Sequence, residues 1–82
     1  MGKKITVSDV AKLSGLSVSS VNYYTNMGLI VIAEKKGNKR LYDQDDVQRR
    51  LKKISEMMNM GYTLRLIQHQ FLASQDFNPF KL

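Results

Sequence analysis

Eighty-two residues carrying 13 Lys+Arg against 7 Asp+Glu, a formal net charge of +6, make one small basic domain with one modest core. Such a balance implies an anionic partner, nucleic acid first and an acidic membrane surface second. With no Cys, no run of membrane-spanning length and no visible signal peptide, the sequence excludes a disulfide framework, a thiolate metal site and a Cys nucleophile, and a cytoplasmic protein is expected.

Residues 1–4 are a short basic start. Thr6-Val-Ser-Asp9 has the form of a capping box with Asp in place of the usual Glu or Gln. The helix it opens places Val7, Val10, Ala11 and Ser14 near one face, with Leu13 beside them, and Gly15 stops it. Leu16 leads straight to Ser17, whose hydroxyl can accept from an orphan N–H at the start of a second helix. Gly28 can end that helix in the left-handed conformation. Two short helices with one tight Gly-containing connection form a helix-turn-helix pattern, although such pairs also occur in plain helical bundles.

In the second helix Val21, Tyr24 and Gly28 fall on one side and Ser19, Asn22, Tyr23 and Asn26 on the other. The second face is small, polar and uncharged, with one aromatic. It suits a major groove, where short hydrogen-bonding side chains read base edges; an ordinary solvated face has the same composition.

The texture then changes. Ile30, Val31, Ile32 and Ala33 are β-prone, Gly37-Asn38 makes a turn tip, and Leu41-Tyr42 resumes the apolar pattern, so two short strands form a hairpin. Lys35, Lys36, Lys39 and Arg40 crowd its tip and second strand. Asp43 is expected to N-cap a third helix, with Asp45 and Asp46 at the positive end of the helix dipole. Val47, Leu51, Ile54 and Met58 repeat at i, i+4, i+7 and i+11, the stripe of a core-facing helix. Arg49, Arg50, Lys52 and Lys53 lie off that stripe, available to phosphate or to solvent. Met57, Met58 and Met60 are read as core filling.

Gly61 ends the third helix and Thr63 can cap a fourth, in which Leu64, Ile67 and Phe71 form the buried stripe with Tyr62 beside them and Leu66 off it. His69, the only histidine, lacks a Cys or a second His for a metal site and is expected on an exposed helix face. Residues 1–73 therefore form the domain. Residues 74–82 form a short tail containing Phe77, Phe80 and Pro79, the last arguing against a long continuing helix.

The order ITVSDVAKLSGLS, VNYYTNMGL, KRLYDQDDV and MGYTLRLI resembles the DNA-binding domain of the MerR family of bacterial transcription regulators. The resemblance covers about residues 5 to 72. It implies a mainly α fold with a small β-hairpin: a winged helix-turn-helix followed by a helix pair. It implies double-stranded DNA as partner and a homodimer or higher assembly on that DNA, because family members usually bind as dimers to the spacer between promoter elements and distort it. By position, Ser19 and Ser20 would approach the major groove, and Asn22 and Tyr23 would face the DNA backbone while Tyr24 packs inward. Arg40 and Tyr42 would lie near phosphate, and Lys35, Lys36, Asn38 and Lys39 would line the wing. Many family members have Arg where Asn22 stands and a basic or larger residue at Ser19.

Family regulators continue into a long dimerisation helix, whereas about ten residues follow Phe71 here. Either the chain is a DNA-binding fragment of a longer protein or it assembles differently. The same fold also serves architectural and segregation adaptors that bind arrays of sites, the alternative reading. An enzyme is not expected: one His, no Cys and no Gly-rich phosphate loop are present, and the carboxylates sit as helix caps or isolated surface charges. No cofactor or metal is expected.

Overall fold

The structure, a computed structural model, describes residues 3–73. The elements run β1 (Lys4–Thr6), α1 (Val7–Ser14), α2 (Val18–Asn26), β2 (Glu34–Lys36), β3 (Lys39–Asp43), α3 (Gln44–Asn59) and α4 (Leu64–Ala73). The expected aromatic tail, with Phe77, Pro79 and Phe80, lies outside the described residues.

Local chemistry fixes most of the boundaries. The capping box closes in both directions: Asp9 N–H donates to Thr6 Oγ1 and Thr6 N–H donates to Asp9 Oδ2, each at 3.2 Å. Ser17 Oγ accepts from Ser20 N–H at 3.1 Å and so starts α2. Gly28, at φ 81, ends it: Gly28 N–H donates to Thr25 O and Leu29 N–H to Tyr24 O, both at 3.0 Å. That bond pair is a Schellman cap, which needs the left-handed conformation that Gly adopts without a Cβ penalty. The cap redirects the chain so that Leu29 and Ile30 both become fully buried.

These two neighbours enter different cores. Ile30 joins Ile5, Val10, Val21, Tyr42 and Val47 beneath the helix-turn-helix. Leu29 joins Ile54, Met57, Ile67 and Phe71 between α3 and α4. Tyr24 and Leu51 pack against both clusters and join them into one unit. Gln68 Nε2 donates to Met27 O at 2.9 Å and ties α4 to the end of α2.

The hairpin forms later in the chain than the apolar run predicts. Residues 30–33 are not strand: Ile30 is spent on the core, and the pairing starts at Glu34, opposite Leu41. Positive φ occurs in the loop at Gly37 (φ 59) and at no non-Gly residue, as a two-residue Gly-Asn hairpin turn requires. A third strand was not expected. β1 pairs antiparallel with β3, Ile5 opposite Tyr42, giving the order β1-β3-β2. Three residues with one apolar side chain carry no periodic signal, and β1 exists because β3 is there to pair with it.

The third helix corrects the expected stripe. Val47 and Ile54 are buried and Leu51 half-buried, but Met57 takes the core position assigned to Met58, which is 44% exposed. The side of α3 that carries Arg50 and Met57 faces α4, so the buried arc rotates toward α4 along the helix. Met60 is also a surface residue rather than core filling, and Tyr62 is exposed rather than packed in the stripe. Arg50, read as a solvated or phosphate-facing cation, is buried and donates from Nε to Asp46 Oδ2 at 2.8 Å. Asp46 accepts from Arg49 as well, at 2.6 Å. Asp43 stands at the N-cap of α3, but its side chain makes no cap bond. In α4 the cap and the stripe are as expected: Thr63 Oγ1 accepts from Leu66 N–H at 3.2 Å, Ile67 and Phe71 are buried, and His69 is exposed.

Candidate nucleic-acid interface

The outward face of α2 is built by what the inward face must do. Val21 is fully buried and Tyr24 packs on both cores, which turns Val18, Ser19, Tyr23 and Asn26 to solvent and leaves Asn22 half-buried. Tyr23 is 54% exposed. Ser20 is less free than Ser19. Its N–H and its Oγ both contact Ser17 Oγ at 3.1 Å, so its hydroxyl belongs to the helix cap.

The wing presents charge on a pair of antiparallel strands. Lys35, Lys36, Asn38 and Lys39 are exposed, and Arg40 is half-buried where β3 returns to the domain. Lys36 and Lys39 stand directly opposite each other in the ladder. Like charges in that relation destabilise a strand pair; an anion against the hairpin relieves the repulsion.

Between α2 and the wing lies an open groove of about 730 Å³. Val18, Asn22 and Asn26 line it from α2, Asn38, Lys39 and Arg40 from the wing, and Thr6, Val7 and Ser8 from the start of α1. No carboxylate is among these lining residues, and the first-turn N–H groups of α1 add positive potential at its third side. The nearby acid is committed to the cap: the Thr6 backbone N–H, then the Thr6 side chain, hold the Asp9 carboxyl below its usual range.

Two polar contacts join the wing strand to α2. Arg40 Nη1 donates to Asn22 Oδ1 at 3.4 Å, and Thr25 Oγ1 lies 2.8 Å from Tyr42 Oη. Thr25 Oγ1 also donates to Val21 O at 2.8 Å. With its one proton used there, Thr25 accepts from Tyr42. Residues 40 and 42 share a face of β3, and residues 22 and 25 share a face of α2.

The ten residues expected to contact DNA therefore divide. Ser19, Tyr23, Lys35, Lys36, Asn38 and Lys39 are on the surface, and Ser20, Asn22 and Arg40 sit half-buried at its edge. Tyr42 is corrected. Its ring is fully buried and its hydroxyl points to Thr25, so it supports the interface from within the core and cannot lie against phosphate. The alternation along β3 that brings Arg40 to the groove mouth carries Tyr42 beneath the helix. The sequence reading left out Val18 and the Thr6–Ser8 side of the groove. Val18 had a signal, because it lies one turn before Asn22. The orientation of α1 toward the wing had none, because it depends on β1.

Residues 5–73 match the family described as MerR HTH family regulatory protein. Over 64 residues the chain is 36% identical to the HTH-type transcriptional regulator YfmP of Bacillus subtilis (strain 168), covering 77% of this chain and 46% of that protein. It is 40% identical over 76 residues to a probable heavy metal-dependent transcriptional regulator of Haemophilus influenzae, covering 92% of this chain and 57% of the relative. A crystal structure of a MerR-family transcriptional regulator from Bacillus cereus superposes with a TM-score of 0.73 at 26% identity, over 89% of this chain and 55% of that one. The chain spans about half the length of these relatives. Its wing, its capped helix pair and these similarities together show that residues 5–73 form a helix-turn-helix domain of the MerR family and that the chain belongs to that family of regulatory proteins.

Proposed function

We propose that this domain places the outward face of α2 in the major groove of double-stranded DNA and its wing on the flanking sugar-phosphate backbone. The observation that carries the reading is the carboxylate-free groove between an uncharged polar helix face and a lysine-rich hairpin. In this arrangement Ser19, Tyr23, Val18 and Asn26 meet base edges or the adjoining backbone. Val18 offers a methyl surface of the kind that matches thymine. Lys35, Lys36, Lys39 and Arg40 neutralise phosphates, and Asn38 hydrogen-bonds at the tip. The protein that carries this domain regulates transcription, and it does so as a dimer on a two-fold-related site. The named relatives, all transcription regulators, support that reading over an architectural or segregation role.

Salt titrations on a site selected from random DNA and on a scrambled duplex test it. Neutralised phosphates release counterions, so affinity for both duplexes is expected to fall steeply as salt rises. A flat response refutes the electrostatic footing. Sites bound in genomic DNA should be paired half-sites lying in promoters. Long arrays of unpaired sites outside promoters would overturn the regulatory reading.

A further inference from the structure

The Arg40–Asn22 contact gives Asn22 a task other than touching DNA. The guanidinium has five N–H donors, and the 3.4 Å bond to Asn22 Oδ1 engages one of them. The remaining donors are left at the mouth of the groove. Arg40 is anchored at its backbone as well, because it lies in the central strand and its cross-strand partner is Lys35. Two residues on, the part-buried Tyr42–Thr25 hydroxyl bond fastens the same face of β3 to the same face of α2. The strand therefore meets the helix at two rungs, one neutral and one charged. Asn22 itself is recessed: it is half-buried, with Val18 one turn before it and Asn26 one turn after it exposed on the same face.

We propose that Asn22 is a positioning residue that acts on DNA through Arg40, holding the guanidinium at the groove mouth for a backbone phosphate instead of contacting the DNA itself. This inference rests on the wing-to-phosphate reading above. The tether suits a phosphate clamp. A flexible Arg loses rotamer freedom when it binds, and a side chain already restrained loses less. A neutral amide is the right tether, because a carboxylate at the same place would cancel the charge that the phosphate has to meet.

The test is a double-mutant cycle on the whole chain, with Asn22→Ala, Arg40→Ala and the pair, titrated with salt on the selected duplex. Arg40→Ala is expected to weaken binding several-fold and to lower the salt slope by about one. Asn22→Ala is expected to weaken binding by a smaller factor and to have no further effect once Arg40 is Ala. Without DNA, NMR relaxation of the Arg40 Nε–H should show a side chain that moves more freely in Asn22→Ala, in a domain that stays folded. Asn22→Asp should lower the slope as Arg40→Ala does, because it neutralises the cation in place. If Asn22→Ala costs the same factor with and without Arg40, Asn22 touches DNA independently and the inference falls while the wing reading stands. If Arg40→Ala changes neither affinity nor slope, the wing reading itself fails.

Discussion

The Tyr42–Thr25 pair yields a sharp stability prediction, because its two hydroxyls are unequal. Tyr42 is fully buried, and its hydroxyl has no hydrogen-bond partner but Thr25 among the described residues. Thr25 has a second bond, to Val21 O. Tyr42→Phe removes a donor and leaves a Thr25 oxygen that still donates, so the cost is that of one net hydrogen bond, about 1 kcal/mol. For a domain of this size that is a fall in Tm of roughly 4–8 °C. Thr25→Val keeps the shape but strands a buried Tyr hydroxyl without an acceptor, which costs about 1–3 kcal/mol. Removing both partners leaves no stranded group. Adding Tyr42→Phe to Thr25→Val should therefore raise stability above that of Thr25→Val alone. Urea unfolding of the four proteins, with the slope of the transition unchanged, measures the cycle. A double variant less stable than Thr25→Val would refute the bond and the donor direction assigned to it.

The two adjacent tyrosines of α2 should separate. Tyr24→Ala, which opens space against both cores from a half-buried ring, is expected to cost about 2 kcal/mol, whereas Tyr23→Ala should leave thermal unfolding nearly unchanged and weaken DNA binding. Thr6→Ala removes the N-cap oxygen of α1 and should cost about 1 kcal/mol in thermal unfolding. The Asp9 carboxyl is held below its usual range by Thr6, so its contribution is fully present above the ordinary carboxylate range and is lost as pH falls through the lowered folded value. The protection of the α1 amides, taken relative to intrinsic exchange, should fall across that window, and Asp9→Asn should remove that fall.

What could be read from the sequence was local. Thr6 with Asp9, Ser17 and Thr63 announce helix starts, and Gly15, Gly28 and Gly61 announce stops, because each acts through bonds to residues within a few positions. The exposed half of the candidate site was legible for the same reason: once Val21 and Tyr24 point inward, helical spacing turns Ser19 and Tyr23 outward. What depended on long-range packing was not legible. Met57 and Met58 differ by one position, and only the placement of α4 decides which is buried. Arg50 looked like a surface cation until Asp46, one turn earlier, accounted for its burial. Tyr42 belonged to a basic segment by sequence and to the core by structure, because β1 pairs beside it at Ile5 and Thr25 of α2 meets its hydroxyl.

The wing carries a conflict between stability and binding that a single substitution can expose. Lys36 and Lys39 face each other across the strand pair beside the Gly37-Asn38 turn, where the hairpin has no other strand to lean on beyond β3. Directly opposed like charges cost part of the roughly 0.2–1 kcal/mol that a good cross-strand pair contributes. Lys36→Glu replaces the repulsion by an attraction, so the free hairpin should become more stable and its amides should exchange more slowly. The same change removes one positive charge from the phosphate-facing surface and adds a negative one. Affinity for DNA should therefore fall, and the salt slope with it, on cognate and scrambled duplexes alike, since a phosphate contact carries no sequence information. Added salt should separate the two effects in the parent protein as well: it screens the lysine pair and slows hairpin exchange while it weakens DNA binding. If Lys36→Glu slows hairpin exchange and leaves DNA affinity intact, the wing does not meet phosphate at Lys36, and the opposed lysines are a surface accident with no share in recognition.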